Sequence, residues 1–231
     1  MAETAFSLPT FHNPAFLTTA LTHRSALNEQ LSTSKESNER MEYLGDAVLE
    51  LVVSEYLYEA FPDEQEGMLT AYRSALVKTT TLADVARTLG LGELMVMSKG
   101  EEASGGRQND SLLANTTEAV IGALYLDQGL EPVKTLLKAV LLPKMTEIQE
   151  KRLYKDPKSA LQEIVQSKGL VAPEYVVIDE QGPVHDRTFT VEVKINGRSA
   201  SKGIGKSKQL AQQAAAQALV EEPEKLETFL K

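Results

Sequence analysis

Asn38-Glu39-Arg40-Met41-Glu42-Tyr43-Leu44-Gly45-Asp46-Ala47-Val48-Leu49-Glu50-Leu51 has the apolar spacing of a helix that packs into a core. Its acids recur at i, i+3, i+7 and i+11, at positions Glu39, Glu42, Asp46 and Glu50. At about 100° per residue they fall within an arc of roughly 80° on one helix face. Like charges on one face destabilise a helix by a few tenths of a kcal/mol per pair. The acidic stripe therefore predicts a compensating ion, and a divalent cation is the simplest candidate.

The composition of the chain limits the kinds of protein it can be. Its 231 residues, 42% of them apolar, allow one large domain or two ordinary ones. The absence of cysteine excludes disulfides, thiolate zinc sites and cysteine nucleophiles. The sequence has no apolar run of membrane-spanning length, and residues 1–10 lack the form of a signal peptide. We therefore expect a cytoplasmic protein with no membrane partner.

The charge of the chain is distributed unevenly. The net charge is −9, which at first argues against a nucleic-acid partner. Residues 1–154 hold 13 Lys and Arg against 22 Asp and Glu, and residues 155–231 hold 11 of each kind. The acidity thus belongs to the first part, and the neutral second part can still carry a local basic patch.

The first part of the chain shows only helical patterns. Asn13-Pro14 is a helix start, with Asn as the N-cap and Pro at the first helical position. The predicted helices cover residues 13–21, 38–60, 63–78, 81–89, 109–127 and 131–149. Residues 28–37 and the Gly-rich residues 98–107 are predicted loops. We therefore expect an all-α domain over residues 1–150, followed by a charged linker over residues 151–156.

The pattern changes after the linker. The predicted elements are a helix at 157–168, strands at 175–179, 188–195 and 198–202, and a helix at 206–220. Asn196-Gly197 is a strong two-residue hairpin turn between the second and third strands. The sequence thus predicts an α+β domain of order α-β-β-β-α over residues 157–222. Residues 223–231 form an acidic tail, where Pro223 should stop the last helix.

A second polar pair lies in the predicted helix at 109–127. Asn115 and Glu118 are spaced i, i+3 and share a helix face. Oxygen ligands that meet from two helices suit a hard cation such as Mg²⁺, which takes few carboxylates. The alternative is that Glu118 pairs with an arginine, such as Arg24 or Arg73, and that the acidic stripe is a solvated face. The apolar residues around the whole set weaken that alternative.

These stretches resemble the motifs of ribonuclease III, the double-stranded-RNA-specific endoribonuclease. The resemblance rests on residues 38–49, on Leu21-Thr22-His23-Arg24-Ser25, on Glu66-Gly67-Met68-Leu69-Thr70 and on residues 118–127, in order and at suitable spacing. The second part is similar to the double-stranded-RNA-binding domain. The resemblance implies an all-α N-terminal endonuclease domain and an α+β (α-β-β-β-α) RNA-binding domain.

The resemblance also implies a set of site residues. The metal ligands of the family fall on Glu42, Asp46, Asn115 and Glu118, of which Asp46 and Glu118 take the catalytic positions. Glu39 and Glu66 match acids of an outer site that assist metal or RNA. Tyr43 matches an aromatic residue that enters a socket on the partner subunit, although it could instead be a core aromatic. His23 is expected to be structural, and Glu50 to be a solvated surface acid.

The implied reaction is hydrolysis of double-stranded RNA to 5′-phosphate and 3′-hydroxyl ends with a short 3′ overhang. The implied cofactor is Mg²⁺, with Mn²⁺ as a substitute, because the ion activates water and stabilises charge on the reacting oxygens. The enzyme is expected to act as a homodimer with one cleavage centre per subunit. The implied roles are the processing of ribosomal RNA precursors and of structured messenger RNA.

Three regions of the second part are expected to contact RNA. The first helix offers Gln162 and Glu163, and the Gly182-Pro183-Val184-His185 loop can reach a shallow minor groove. Lys206 and Lys208 open the last helix, where backbone N–H groups and the helix dipole also favour phosphate.

The chain departs from the family pattern in two places. Asn115 stands where most described members have Asp, which predicts weaker metal binding with activity retained. Gln209 and Gln212 stand where the family often has basic residues, which predicts a shallower salt dependence of RNA binding.

Two other functions remain open at this point. One is an RNA-binding protein that has lost cleavage, which Asn115 favours and the intact Glu42, Asp46 and Glu118 oppose. The other is a metal-dependent enzyme on another substrate, such as a helical phosphohydrolase, which the appended RNA-binding module opposes.

Overall fold

The protein divides into two compact units, Met1–Tyr154 and Lys155–Lys231. A computed structural model describes residues 8–29, 31–154, 156–183 and 187–230. The first unit is built of helices, and the second combines helices with a three-stranded antiparallel sheet. The predicted fold class is therefore confirmed.

The first unit consists of ten α-helices in its described residues, with a short 3₁₀ helix, Gly106–Gln108, before the eighth. The helices are α1 Pro14–Ala20, α2 Arg24–Asn28, α3 Glu39–Ala60, α4 Glu66–Val77, α5 Thr79–Thr88, α6 Leu91–Leu94, α7 Lys99–Ala103, α8 Asp110–Gln128, α9 Leu130–Val140 and α10 Lys144–Glu150. Within these residues, extended pairing is limited to an isolated bridge between Thr22 and Val96.

Helices α3 and α8 form the centre of the first unit, and their backbones touch. A β-carbon on Gly45 of α3 would lie 1.8 Å from the carbonyl oxygen of Glu118 on α8. A β-carbon on Gly122 of α8 would lie 2.2 Å from the carbonyl oxygen of Met41 on α3. Because glycine has no side chain at either position, the two helices can approach closely where both carry polar residues.

Apolar burial holds these two helices in the core. The buried apolar residues of α3 are Val48, Leu49, Val52, Val53 and Leu57, and those of α8 include Leu113, Val120, Ile121 and Leu124. Each fully buried side chain of this size contributes about 1.5–3 kcal/mol relative to an exposed one. Burial of these apolar residues thus stabilises the packing of α3 and α8 and offsets the cost of placing polar side chains between them.

Two local predictions in the first unit are wrong. The single helix expected at 131–149 is two helices, α9 and α10, because Pro143 lacks an amide hydrogen and restricts the residue before it. The loop expected at 98–107 contains α7, which Ser98 caps by accepting a hydrogen bond from the amide of Glu101 at 3.2 Å.

The first unit extends past residue 150, where the sequence analysis placed the end of the domain. Leu153 and Tyr154 pack against its core. The Tyr154 ring meets the buried Tyr72 ring edge-on, with 4.9 Å between the ring centroids. The residues expected to begin the linker therefore belong to the packed first unit.

The second unit places helices on one face of an antiparallel sheet. Its strands are β1 Glu174–Gln181, β2 Thr188–Ile195 and β3 Arg198–Gly205, in the order β1-β2-β3, and its helices are α11 Pro157–Ser167, α12 Lys208–Val220 and α13 Pro223–Glu227. Asn196 and Gly197 both have positive φ, at 51° and 72°, as the predicted hairpin turn between β2 and β3 requires.

Small residues bring α12 against β3. A β-carbon on Gly203 of β3 would lie 2.1 Å from the amide nitrogen of Ala215 on α12. Beyond α12, Pro223 begins α13, whose Leu226 is buried in the core of the second unit. Part of the predicted tail is therefore a packed helix of this unit.

Candidate functional site

The α3–α8 contact brings the four predicted metal ligands into one neighbourhood. Glu42 and Asp46 lie on α3 on either side of Gly45, which touches the backbone of Glu118 on α8. Asn115 lies one turn before Glu118 on the same face of α8. The two helices thus bring three carboxyl groups and one amide near their point of closest approach.

Glu118 is the most perturbed carboxyl group of this cluster. Burial and the charges of Asp46 and Glu42 raise the pKa of Glu118 to about 7. Among the described residues, no arginine or lysine forms an ion pair with it. Arg24 instead pairs with Glu39 at 3.4 Å, and Arg73 pairs with Glu50 at 2.9 Å. The alternative in which either arginine neutralises Glu118 is therefore wrong.

The Glu42 carboxyl group also lies near like charges. Burial raises the pKa of the Glu42 carboxyl group, and so do the charges of Glu39 and Asp46. A hydrogen-bonding interaction with the Asn115 side chain lowers this pKa and partly offsets the increase. The Asn115 amide is thus a donor toward Glu42, whereas a carboxylate at position 115 would add a further repulsion.

The donor atoms of the cluster fit a hard divalent cation. All four side chains offer oxygen ligands, which Mg²⁺ prefers. The crowding of unneutralised carboxyl groups at Glu42 and Glu118 is the kind of repulsion that such a cation relieves. In the described part of the chain, no three His, Cys, Asp or Glu side chains are arranged to hold a metal ion as they stand. The acids of the cluster would therefore have to move closer together to ligate an ion.

The two predicted outer acids differ in their relation to the cluster. Glu39 is exposed, accepts a hydrogen bond from Ser37 at 2.9 Å and raises the pKa of Glu42. Glu66 lies in the first turn of α4, where its carboxylate accepts a hydrogen bond from the Thr70 hydroxyl at 3.0 Å. The structure therefore links Glu39 electrostatically to the cluster, whereas the described contact of Glu66 is local to α4.

Tyr43 projects away from the core of the first unit. Its side chain is 83% exposed, so the alternative interpretation as a core aromatic is wrong. Leu51 and Tyr58, 57% and 76% exposed, lie within an arc of roughly 80° from Tyr43 along α3. Together these three residues form an exposed apolar stripe beside the acidic one.

His23 occupies a structural position. Its Nδ1 atom lies 2.8 Å from the Ser25 hydroxyl, and the side chain caps the start of α2. The same Ser25 hydroxyl accepts a hydrogen bond from the amide of Ser98 at 2.9 Å. His23 thus stabilises the join between α2 and the segment that leads into α7, in agreement with the structural role expected for it.

The predicted RNA contacts of the second unit lie on α11 and at the start of α12. Gln162 and Glu163 are exposed on α11, and His185 lies outside the described residues. Lys206 precedes the N-cap Ser207, and Lys208 is the first residue of α12. The Lys208 ammonium lies 3.3 Å from a Glu180 carboxylate oxygen, a long-range pairing that no local sequence pattern indicates.

Among the described residues, no helix is both long and apolar enough to cross a bilayer.

Both units match known families. The family described as Ribonuclease-III-like matches residues 13–145, and the double-stranded RNA binding motif matches residues 157–222. A protein named Ribonuclease 3 from Geobacillus kaustophilus is 46% identical over 212 residues, covering 92% of this chain and 86% of the relative. A Ribonuclease 3 from Streptococcus pyogenes is 43% identical over 216 residues, covering 94% of this chain and 93% of the relative.

A solved structure agrees with these matches. It is the nuclease domain of ribonuclease III from Campylobacter jejuni, described for flexibility in a region involved in dimer formation. The two chains are 41% identical with a TM-score of 0.53, and the alignment covers 58% of this chain and 92% of the other.

The fold and the matches define a two-unit protein in which a helical nuclease unit precedes a double-stranded-RNA-binding unit. The chain belongs to the ribonuclease III family. It is an endoribonuclease specific for double-stranded RNA, and enzymes of this family are generally metal-dependent.

Proposed function

We propose that the chain is a Mg²⁺-dependent, homodimeric enzyme that hydrolyses phosphodiester bonds of double-stranded RNA at the α3–α8 cluster. The observation that carries this proposal is the position of Glu118, which lies close enough to Asp46 and Glu42 for their charges to raise its pKa and has no basic partner among the described residues. A cluster of acids that its own fold does not neutralise is suited to bind a cation.

Glu42, Asp46, Asn115 and Glu118 would hold the ion, with Asp46 and Glu118 in the catalytic positions. Bound Mg²⁺ supplies Lewis acidity, which lowers the pKa of water and stabilises charge on phosphoryl oxygens. Glu118 is partly protonated near neutral pH because its pKa is about 7, so it must release that proton to act as a ligand. Mn²⁺, which also accepts oxygen ligands, would substitute for Mg²⁺.

Glu39 and Glu66 would act outside this set of ligands and assist metal or RNA. The coupling of Glu39 to Glu42 supports a role for Glu39 in the electrostatics of the cluster. Its ion pair with Arg24 is between exposed side chains and would rearrange at little cost when RNA binds.

The second unit would recognise the A-form duplex by its shape. Gln162, Glu163 and His185 would contact the shallow minor groove and its 2′-hydroxyl groups, and Lys206 and Lys208 would contact phosphates. Because Lys208 is already paired with Glu180, its contact with phosphate requires exchange of that partner. The exposed positions of Gln162 and Glu163 on one helix support this assignment.

A homodimer would place one cleavage centre on each RNA strand. Tyr43 and the apolar stripe beside the acids support an interface at α3, where an aromatic ring gains most from burial. Cleavage at two staggered centres would leave 5′-phosphate and 3′-hydroxyl ends with a short 3′ overhang. We further propose roles in processing ribosomal RNA precursors and structured messenger RNA, and the cytoplasmic location stays a prediction.

Asn115 would lower metal affinity without abolishing the reaction. It keeps an oxygen ligand but lacks the charge of a carboxylate, which is worth at least about 1 kcal/mol close to a cation, or roughly five-fold in affinity. Asn115→Asp should therefore lower the Mg²⁺ concentration for half-maximal cleavage by at least about five-fold. Absence of cleavage at saturating Mg²⁺, with activity restored by Asn115→Asp, would contradict this account and favour a chain that only binds RNA.

Incubation of the purified chain with a perfect RNA duplex tests the proposal. We expect cleavage with Mg²⁺ or Mn²⁺, none with EDTA, and products that carry 5′-phosphates and 3′-hydroxyls. Competition by unlabelled duplex RNA but not by duplex DNA should accompany cleavage. Binding without cleavage in every metal would support the RNA-binding alternative, and equal competition by DNA would support an enzyme on another substrate.

A further inference from the structure

The junction of α11 and α12 in the second unit holds a cation that the sequence analysis did not single out. The Lys158 ammonium donates a hydrogen bond to the Gln212 side-chain oxygen at 2.7 Å. The same nitrogen lies 4.9 Å from the centroid of the Tyr175 ring. Lys158 is in the first turn of α11, and Gln212 is in the second turn of α12. The contact therefore fixes a charge from one helix beside a polar side chain of the other.

The charge of the Lys158 ammonium is not neutralised by an ion pair among the described residues. Among the described residues, no carboxylate forms an ion pair with the Lys158 side chain, whereas Lys208 pairs with Glu180 at 3.3 Å. The nearby Asp156 is engaged elsewhere. Its carboxylate accepts hydrogen bonds from the amides of Lys158 and Ser159, each at 3.1 Å, and from the Gln213 side chain at 3.0 Å.

The cation lies between two predicted RNA contacts. Lys158 and Gln162 are four residues apart on α11, and Lys208 and Gln212 are four residues apart on α12. Residues at this spacing are neighbours on one helix face. Lys158 thus adjoins Gln162 on its own helix and, through Gln212, adjoins Lys208 on the next.

We propose that Lys158 supplies the phosphate-binding cation that Gln212 lacks. This inference rests on the proposed recognition of duplex RNA by the second unit. An ammonium group has three N–H donors, so the bond to Gln212 leaves two for a phosphate. The neutral amide and the Tyr175 ring position the ammonium without cancelling its charge. A basic side chain is therefore present near position 212, but it comes from α11.

The salt dependence of RNA binding tests this proposal. The full chain is titrated onto a fluorescent RNA duplex in EDTA, at several salt concentrations, with binding followed by anisotropy. Lys158→Gln should reduce the slope of log affinity against log salt by about 1, as loss of one phosphate contact does. The ratio of wild-type to variant affinity for the duplex should accordingly fall roughly three- to four-fold between 50 and 200 mM salt.

Three further variants separate a phosphate contact from a structural role. Lys158→Arg should keep the wild-type slope because the charge remains. The double variant Lys158→Gln with Gln212→Lys should have the wild-type slope again, because the positive charge is restored on α12. Lys202→Gln is the matched control, since Lys202 is exposed on β3 and the same charge is lost; its slope should be that of the wild type.

The proposal is overturned if Lys158→Gln retains the wild-type slope, or if the double variant keeps the reduced slope. Should Lys158→Gln fail to fold, Gln212→Glu serves instead, because it leaves Lys158 and its ring contact in place and sets a carboxylate beside the ammonium. Its slope should fall by about 1, and an unchanged slope would overturn the proposal. A wild-type chain that does not bind the duplex would overturn the proposed function as well.

Discussion

The helix junction of the first unit and that of the second handle charge in opposite ways. At α3–α8, three carboxyl groups lie near one another, and burial together with the charges of Asp46 and Glu42 raises the pKa of Glu118 to about 7. At α11–α12, an ammonium is held by the Gln212 amide and an aromatic ring. The first junction concentrates like charges, whereas the second holds a single charge among neutral partners. At both junctions, the uncompensated charge indicates that the ligand carries the opposite charge.

The net charges of the two parts agree with this contrast. Residues 1–154 carry a net charge of −9, and residues 155–231 carry none. An acidic nuclease unit repels a polyanion unless cations are bound, so we expect its approach to RNA to depend on bound cations and on the second unit. The neutral second unit can bind phosphates only through a few placed cations.

Removal of one carboxylate should have the largest effect at the first junction. Glu118→Gln removes a charge that would help to hold the metal in the proposed site, and a bound metal contributes several kcal/mol to charge stabilisation. We expect the cleavage rate at saturating Mg²⁺ to fall on the order of 1,000-fold, with duplex binding in EDTA unchanged.

Glu50→Gln is the matched control for this change. Glu50 belongs to the acidic stripe of α3 that also holds Glu42 and Asp46, but it is paired with Arg73 at 2.9 Å. Its loss should leave the cleavage rate near that of the wild type. Equal losses of cleavage rate for the two variants would mean that any acid near the α3–α8 contact has the same effect and that Glu118 has no specific role.

Separation of α3 from α8 should have the next largest effect. Gly45→Ala places a methyl group 1.8 Å from the carbonyl of Glu118 and forces the helices apart. We expect a stability loss of about 1–3 kcal/mol by urea unfolding. Because a shift near 1 Å would misplace the proposed metal ligands, we also expect roughly 100-fold slower cleavage.

Gly67→Ala provides the comparison, since a β-carbon on Gly67 of α4 meets nothing within 4 Å. This variant should fold and cleave as the wild type does. If Gly45→Ala also behaved as the wild type, the close contact of α3 and α8 would not be what positions the ligands.

Truncation of Tyr43 should weaken the proposed dimer. Loss of an aromatic anchor from an interface costs about 2 kcal/mol or more, so Tyr43→Ala should raise the dimer dissociation constant at least about 30-fold. Sedimentation equilibrium measures this constant. Tyr43→Phe keeps the ring and should dimerise normally. A monomeric wild type, or a Tyr43→Ala dimer of unchanged affinity, would refute the assignment.

The stability of the first unit without metal should fall as the pH rises. The pKa of Glu118 is about 7 in the folded chain against an ordinary value of 4.5, so the folded state binds this proton more tightly. The corresponding stability is fully present below pH 4.5 and is lost as the pH rises through 7.

Calorimetry in EDTA at pH 5 and pH 8 measures this change. Solvent screening reduces the effect, and we expect the melting temperature to be only a few °C lower at pH 8. Mg²⁺ at pH 8 should recover the loss, and Glu118→Gln should remove this part of the pH dependence. An identical pH profile for Glu118→Gln would contradict the assigned cause.

Much of the fold follows from local patterns in the sequence. The apolar periodicity predicts α3 and α8, Asn13-Pro14 predicts the start of α1, and Asn196-Gly197 predicts the hairpin. The errors occur where short-range signals compete. Pro143 divides a helix whose apolar period continues on both sides, and Ser98 starts a short helix in a segment whose glycines indicate a loop.

The candidate site was only partly predictable. The spacing of Glu42 and Asp46 places them on one face, and the family resemblance pairs them with Asn115 and Glu118. The partners of the arginines depend on tertiary packing, and so does the bond between Lys158 and Gln212, which lie 54 residues apart. No periodic pattern encodes such a contact, because each partner looks like an ordinary polar surface residue in its own helix.

Direct measurement of metal binding tests the central claim, which is that the acids at α3–α8 form a cation site. Electron paramagnetic resonance of free Mn²⁺ gives the bound fraction for the full chain, for Glu50→Gln and for the double variant Glu42→Gln with Glu118→Gln. We predict that the wild type and Glu50→Gln bind Mn²⁺ alike, that Mg²⁺ displaces it, and that the double variant loses this binding. Unchanged Mn²⁺ binding in a folded double variant would contradict the account.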